Sequence, residues 1–319
     1  MNYQYILIPF IASLVLTFVL TIVFRFLGEK GFLGNLYTNV RGGTPRALGI
    51  VPFILLSLFF PTGFNNLILI IGMFALFDDL VGRRKIRNLS IEWGQLSRGI
   101  GMIMVMIIGF PLVGYSSILI ALFVQPINIS DMQPGSTSMV VIIMSTFTIL
   151  AMILLNVGSI VSIPGYYAIY APLLLLLVCI GYSPLDFSGK IMLGEVGNHS
   201  FAVALGLCFY MLGGFLATLI LFIATTVLIA LIRKNNLKLF FSRKLNLKNP
   251  TFGDYFMDIL TGGGLGDAFR RVILKKKQYT VTNSFLIALG FRRLLYNPFA
   301  HRTQFTHNKY QVESELVRK

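Results

Sequence analysis

Thirty-two consecutive residues, Phe201 to Ile232, carry no charged side chain. A run this long and apolar has no place on the surface of a water-soluble domain. In lipid every backbone amide and carbonyl must find its partner within the protein, so the run reads as α-helix. One straight helix of this length would measure about 48 Å at 1.5 Å per residue. That exceeds the hydrocarbon layer, and Gly213-Gly214 is read as a break that divides the run into two short spans.

The rest of the chain repeats the pattern. Apolar runs occupy Tyr5 to Leu27, Ala47 to Phe60, Leu67 to Phe77, Gly99 to Val124, Met139 to Asn156 and Tyr166 to Tyr182. Only 12% of the 319 residues are charged, against about a quarter in soluble domains, and 55% are hydrophobic. The expected fold is an all-α polytopic integral membrane helical bundle of about 8–10 spans, several of them short. It would occupy residues 1–232 and leave 233–319 as a basic tail. Cys179 and Cys208 both lie inside apolar runs, which excludes a disulfide framework and a CxxC metal site.

Charge sets the expected topology. The first run has no basic residue before it and Arg25 and Lys30 after it, the wrong order for a cleaved signal peptide, so it should stay as a first span with the N-terminus outside. Leu80 to Arg98 holds Arg83, Arg84, Lys85, Arg87 and Arg98 against Glu92, which assigns it to the cytoplasm of a plasma-membrane protein. The loop Gln125 to Ser138, with Asp131 and no basic residue, is expected outside, and Asn156 inside. After Ile232 come 17 Lys and Arg against five acidic residues, a net +12. Beside membrane spans this favours a cytoplasmic tail attracted to anionic membrane lipids over a nucleic-acid-binding segment. The apolar patch Phe285 to Phe291 is expected on the membrane surface. Gly262-Gly263-Gly264-Leu265-Gly266-Asp267 is read as a flexible loop, since no strand precedes it as a nucleotide fold requires.

Two adjacent carboxylates, Asp78 and Asp79, end the run Met73 to Phe77. Like charges side by side at a membrane boundary are costly to keep together, and carboxylates in such positions mark function by default. The other oxygen donors expected near a cytoplasmic end are Glu195 and Asn156. One or two carboxylates with substrate phosphates make an ordinary magnesium site, so this set suits a metal-bound diphosphate. The plainer alternative is a helix end neutralised by Arg83 to Arg87.

Four segments carry a resemblance to a family. They are Arg41-Gly42-Gly43-Thr44-Pro45-Arg46-Ala47-Leu48-Gly49, then Leu76 to Gly82 around the aspartate pair, then Asn156-Val157-Gly158-Ser159, and last Met192-Leu193-Gly194-Glu195-Val196-Gly197-Asn198. In this order they resemble the polyprenyl-phosphate N-acetylhexosamine-1-phosphate transferases, the family that includes the phospho-MurNAc-pentapeptide transferase of cell-wall biogenesis. The resemblance implies transfer of a sugar 1-phosphate from a UDP-sugar to polyprenyl phosphate with release of UMP, dependent on Mg2+, and a homo-oligomer is compatible with it. It further implies Asp78 as base or orienting group and Asp79 as a second catalytic carboxylate near the metal. Glu195 would be the direct metal ligand. Arg41 and Arg46 would clamp phosphate, and Asn156, Ser159, Lys190 and Met192 would contact substrate.

The chain also departs from the family. Glu195 stands where the family has Asp, Ser162-Ile163-Pro164-Gly165 replaces an Asp-Gly repeat, Met192 stands where the peptidoglycan enzymes have an aromatic that stacks on uracil, and the histidines of the last cytoplasmic loop are missing. Tyr166 to Tyr182 holds one span where the family fits two. This puts Glu195 on the side opposite Asp78 unless a segment interrupted at Pro172 re-enters. A degenerate member that binds lipid phosphate or scaffolds an assembly is therefore a second expectation. A transporter would need mid-span charges in two similar halves, and neither is seen.

Overall fold

The apolar runs fold as helices, and their turns alternate between two ends of one bundle. The computed structural model describes residues 4–82, 84–86, 92–157, 165–244, 249–275 and 277–297. The chain divides into two compact units, Met1–Ile229 and Ala230–Lys319. Helices α1 (Gln4–Glu29), α2 (Ile50–Phe59), α3 (Asn65–Val81), α4 (Trp93–Val113), α5 (Ser116–Leu122), α6 (Val124–Ser130), α7 (Ser136–Leu154) and α8 (Gly165–Phe187) precede the long α9 (Gly194–Lys244). Among the described residues five helical stretches are long and apolar enough to cross a membrane: Ile6–Glu29, Trp93–Val113, Ser136–Leu154, Ala168–Phe187 and Gly194–Ser242. The chain is an all-helical polytopic bundle of the membrane type.

The break expected in the last run is present. Gly213 and Gly214 leave helical geometry inside α9, Gly214 at φ 65°. Phe209 before the break and Phe222 after it both pack on the Phe123 ring, with centroids 5.5 and 5.3 Å away. The two halves of α9 therefore double back on each other.

A second reversal corrects the expected topology. The run Gly99 to Val124 is not one span, because α4 stops at Val113 and Gly114 turns the chain at φ 56°. The chain then returns through α5 and α6, each of seven residues, to a point where Asn198 Nδ2 donates to Asp131 Oδ2 at 2.9 Å. The segment Gln125 to Ser138 thus lies at the end of the bundle that carries Asp78, not at the opposite end. Glycine meets the positive φ without a Cβ penalty.

That extra pass shifts everything after it. Helix α7 leaves the Asp78 end, where Ser138 Oγ donates to Asp186 Oδ2 at 2.6 Å, and its 19 residues rise about 28 Å before Asn156. Asn156 is therefore at the far end, against expectation. Helix α8 starts at the far end, where Tyr170 Oη donates to the Phe59 carbonyl at 2.9 Å, and brings the chain back. Glu195 consequently reaches the same end as Asp78 with one span between Asn156 and Glu195, and no re-entrant break at Pro172 is required.

Lipid gives no hydrophobic drive for helices to associate, so close packing of small residues must contribute. At the start of α2 and α9 the main chains approach so closely that a Cβ on Gly49 would overlap the Gly197 backbone. A Cβ on Gly72 of α3 would overlap the Phe53 ring of α2 in the same way. Ser13 Oγ of α1 donates to the Val178 carbonyl of α8 at 2.7 Å, a buried hydrogen bond between helices.

The second unit continues with α10 (Phe252–Thr261), α11 (Gly263–Leu274), α12 (Ser284–Ala288) and α13 (Phe291–Leu294). The glycine-rich stretch read as a flexible loop instead forms the corner between α10 and α11 and the first turn of α11. A Cβ on Gly266 would overlap the Thr261 carbonyl, so glycine is what allows this corner. The apolar patch at Phe285 forms α12 and the turn into α13.

Candidate functional site

Three of the four segments that carry the resemblance meet, two through main-chain pairing and the third through the Asp79 side chain. Tyr37–Thr38 and Thr44–Pro45 form a two-residue antiparallel hairpin that delivers Arg46 to the start of α2. From there Met192 N–H donates to the Pro45 carbonyl at 2.9 Å, Leu48 N–H to the Met192 carbonyl at 3.2 Å and Gly49 N–H to the Leu193 carbonyl at 3.0 Å. The first loop and the start of α9 are thus laced together. Asp79, fully buried, joins the third segment: its Oδ2 accepts from Val196 N–H at 2.9 Å. A carboxylate is favourable there because the first amides of a helix are unpaired and its dipole is positive.

Asp78 lies on the other side of the pair. Its Oδ2 is 3.0 Å from Arg98 Nη2, and the same Nη2 is 3.0 Å from Glu195 Oε2. Asn128 closes the ring. In the amide orientation that gives both ends a partner, its nitrogen donates to Glu195 Oε2 at 2.9 Å and its oxygen accepts from Arg98 Nη1 at 2.7 Å. His199, one turn beyond Glu195 and fully buried, places Nε2 3.3 Å from Glu195 Oε2. Arg46 Nε is 3.4 Å from Asp79 Oδ1, a buried oxygen with no hydrogen-bond partner among the described residues. Gly94 makes room for Asp78, since a Cβ there would overlap Asp78 Oδ1.

The cluster therefore brings together Arg46, Asp78, Asp79 and Glu195 of the expected site. Lys190 and Met192 lie beside it on the strand-like approach to α9. Lys190 is exposed, and its carbonyl accepts from Arg25 Nη2 at 3.3 Å. Arg41 sits in the turn Val40–Gly42 on the loop leading to Arg46, and its side chain is outside the described residues, as is Ser159. Asn156 is excluded from the cluster by the direction of α7.

Arg98 and Asn128 are not among the residues expected at the site, and His199, beside the Glu195 motif, is expected from sequence as a helix-end packing residue rather than a phosphate ligand. Arg98 carried a usable signal: it is the single charged residue between Trp93 and Val113, and lone charges in spans point to function. Reading it as one more cytoplasmic anchor hid that.

Magnesium was expected on Asp79 and Glu195. Among the described residues no group of three His, Cys, Asp or Glu side chains is placed to hold a metal ion. The guanidinium of Arg98 stands where a dication would have to meet Asp78 and Glu195, and Asp79 Oδ2 is committed to the start of α9. This arrangement does not form a magnesium cage.

Beside the cluster, Met73, Phe74, Phe77, Trp93, Leu96 and Ile100 line an apolar groove of about 330 Å³ between α3 and α4. Phe77 and Ser97, which also lines it, directly precede Asp78 and Arg98, so one end of the groove adjoins the charges. No family model and no curated protein matches this sequence.

Proposed function

We propose that this cluster is a glycosyl-1-phosphate transferase site, at which a polyprenyl phosphate attacks a UDP-sugar. A lipid phosphate oxygen bonds to the β-phosphorus, the bond to the bridging oxygen breaks, and UMP leaves with that oxygen and its electron pair. The product is a polyprenyl diphosphate sugar of the kind used to build envelope polysaccharides. One observation carries the reading: Arg46, Asp78 with Asp79, and Glu195, remote in sequence, meet in one buried charge cluster at one end of the bundle.

The residues suit the problem of bringing two polyanions together. Arg46 offers a planar donor fork for phosphate oxygens, and Asp78, beside the groove, would orient or deprotonate the lipid phosphate. The groove is apolar and suits a lipid chain whose phosphate reaches Asp78 and Arg98. Arg98 supplies positive charge between two carboxylates. For magnesium to take part, as the resemblance implies, Arg98 would first have to swing away.

Orientation follows from charge. Among the described residues before Ile229, Arg25, Lys30, Arg41, Arg46, Arg84, Lys85, Arg98 and Lys190 lie in or beside the segments that join helices at the Asp78 end, and the far-end stretches 60–66, 114–115, 155–157 and 213–214 carry no charged residue. By the positive-inside rule this distribution supports a cytoplasmic orientation of the cluster, and a plasma-membrane location is part of the proposal.

A second reading, a lipid-phosphate binder without turnover, is favoured by the way Arg98 already satisfies Asp78 and Glu195 and by the remoteness of Asn156. Purified protein supplied with polyprenyl phosphate, magnesium and a panel of radiolabelled UDP-sugars separates the two. Label in the butanol-soluble lipid supports transfer. Lipid phosphate binding with no labelled lipid from any UDP-sugar would leave the second reading.

A further inference from the structure

Helix α11 in the second unit is built inside out. At about 100° per residue, Asp267, Arg270 and Leu274 share one face and Phe269, Val272 and Ile273 the opposite one. The charged face is the one turned inward. Arg270 is 5% exposed and pairs with Asp267, its Nη1 donates to Thr261 Oγ1 of α10 at 3.0 Å, and Leu274 is buried. Arg293 of α13, 1% exposed, reaches Asp267 at 3.5 Å and also pairs with Asp258 of α10. The outward face leaves Phe269 67%, Val272 72% and Ile273 59% exposed.

A helix in water places these faces the other way round. Here the ion network anchors the polar face to α10 and α13, so the helix cannot turn over without breaking those pairs. The apolar face must meet something that is not water. Exposed Lys275 and Lys277 follow it directly, in a tail of net charge +12 after Ile232, and the chain reaches this unit from the apolar α9. Apolar side chains next to lysines, on a chain already tethered to a bilayer, fit the boundary of an anionic lipid surface.

We propose that α11 docks on the membrane surface by inserting Phe269, Val272 and Ile273 below anionic headgroups that Lys275 and Lys277 contact. This is an interaction surface separate from the transferase reading, and it differs from the Phe285 patch that sequence reading singled out.

The test uses the full chain with Cys179 and Cys208 replaced by serine and one cysteine introduced at position 272, labelled with an environment-sensitive dye and reconstituted in nanodiscs. Expected in discs containing phosphatidylglycerol are a blue-shifted emission, loss of quenching by aqueous iodide and quenching by lipid-attached nitroxide. All three should weaken in purely phosphatidylcholine discs. Labels at 269 and 273, in separate preparations, guard against a local effect of one substitution. Full iodide quenching in anionic discs overturns the proposal. So does protection without lipid quenching, and so does dye-to-dye contact between chains, which would mean that a second copy covers the face.

Discussion

Arg98 uses one nitrogen to hold two buried carboxylates. Removing it strands both, and breaking a buried ion pair from one side costs about 3–5 kcal/mol. Arg98→Gln is therefore expected to lower the unfolding midpoint in detergent far more than Arg84→Gln at an exposed position, and adding Asp78→Asn should restore part of the loss. Equal midpoints for the two single variants would contradict the ion ring. Gly94 supports the same ring by absence of a side chain. Gly94→Ala forces Asp78 aside and should abolish transfer while costing about 1–3 kcal/mol, the usual range for overpacking; full activity in that variant would show that Asp78 need not sit where it does. Asp78, Asp79 and Glu195 were legible in the sequence because carboxylates are scarce in an apolar chain. Arg98 carried the signal of a lone charge in a span, which reading it as an anchor hid; Asn128 carried none, since its role exists only once α6 brings it to Arg98.

Helices were legible wherever an apolar run was long, and the reversal at Gly213-Gly214 was legible because 32 residues exceed one crossing. The reversal at Gly114 was not. It splits a run of ordinary length, and its return pass consists of two seven-residue helices that no span-length window detects. That one hidden turn inverted the expected sides of Asp131 and Asn156 and produced the apparent separation of Glu195 from Asp78. Accessibility of single cysteines checks the revised order: with Cys179 and Cys208 removed, cysteines introduced at Arg84 and Met132, both exposed, should label from the same side of sealed vesicles. Labelling from opposite sides would restore the single-span reading of Gly99 to Val124. The glycine-rich corner before α11 was misread for a related reason, because glycine there permits a tight turn between helices and does not mark a loose one.

Across the whole molecule the charges are sorted. Among the described residues the first unit keeps its lysines and arginines at the end that holds the carboxylates, and the sequence after Ile232 carries a net +12 of its own. Such a distribution raises the local concentration of polyanions, so binding of a UDP-sugar should weaken steeply with salt, and a flat dependence between low and physiological ionic strength would argue against electrostatic capture. Beside the cluster, in the first unit, lies the apolar groove between α3 and α4. The fold brings Arg46, Asp78, Asp79 and Glu195 into one cluster, and the proposed function makes that cluster the meeting point of a lipid phosphate and a nucleotide diphosphate. UMP release by purified protein given polyprenyl phosphate and its UDP-sugar tests this most directly. The account predicts UMP formation by the natural chain and a loss of at least about a hundredfold, or about 2.7 kcal/mol of barrier, in both Asp78→Asn and Glu195→Gln. Absence of UMP with every UDP-sugar, or release unchanged in those variants, would contradict it.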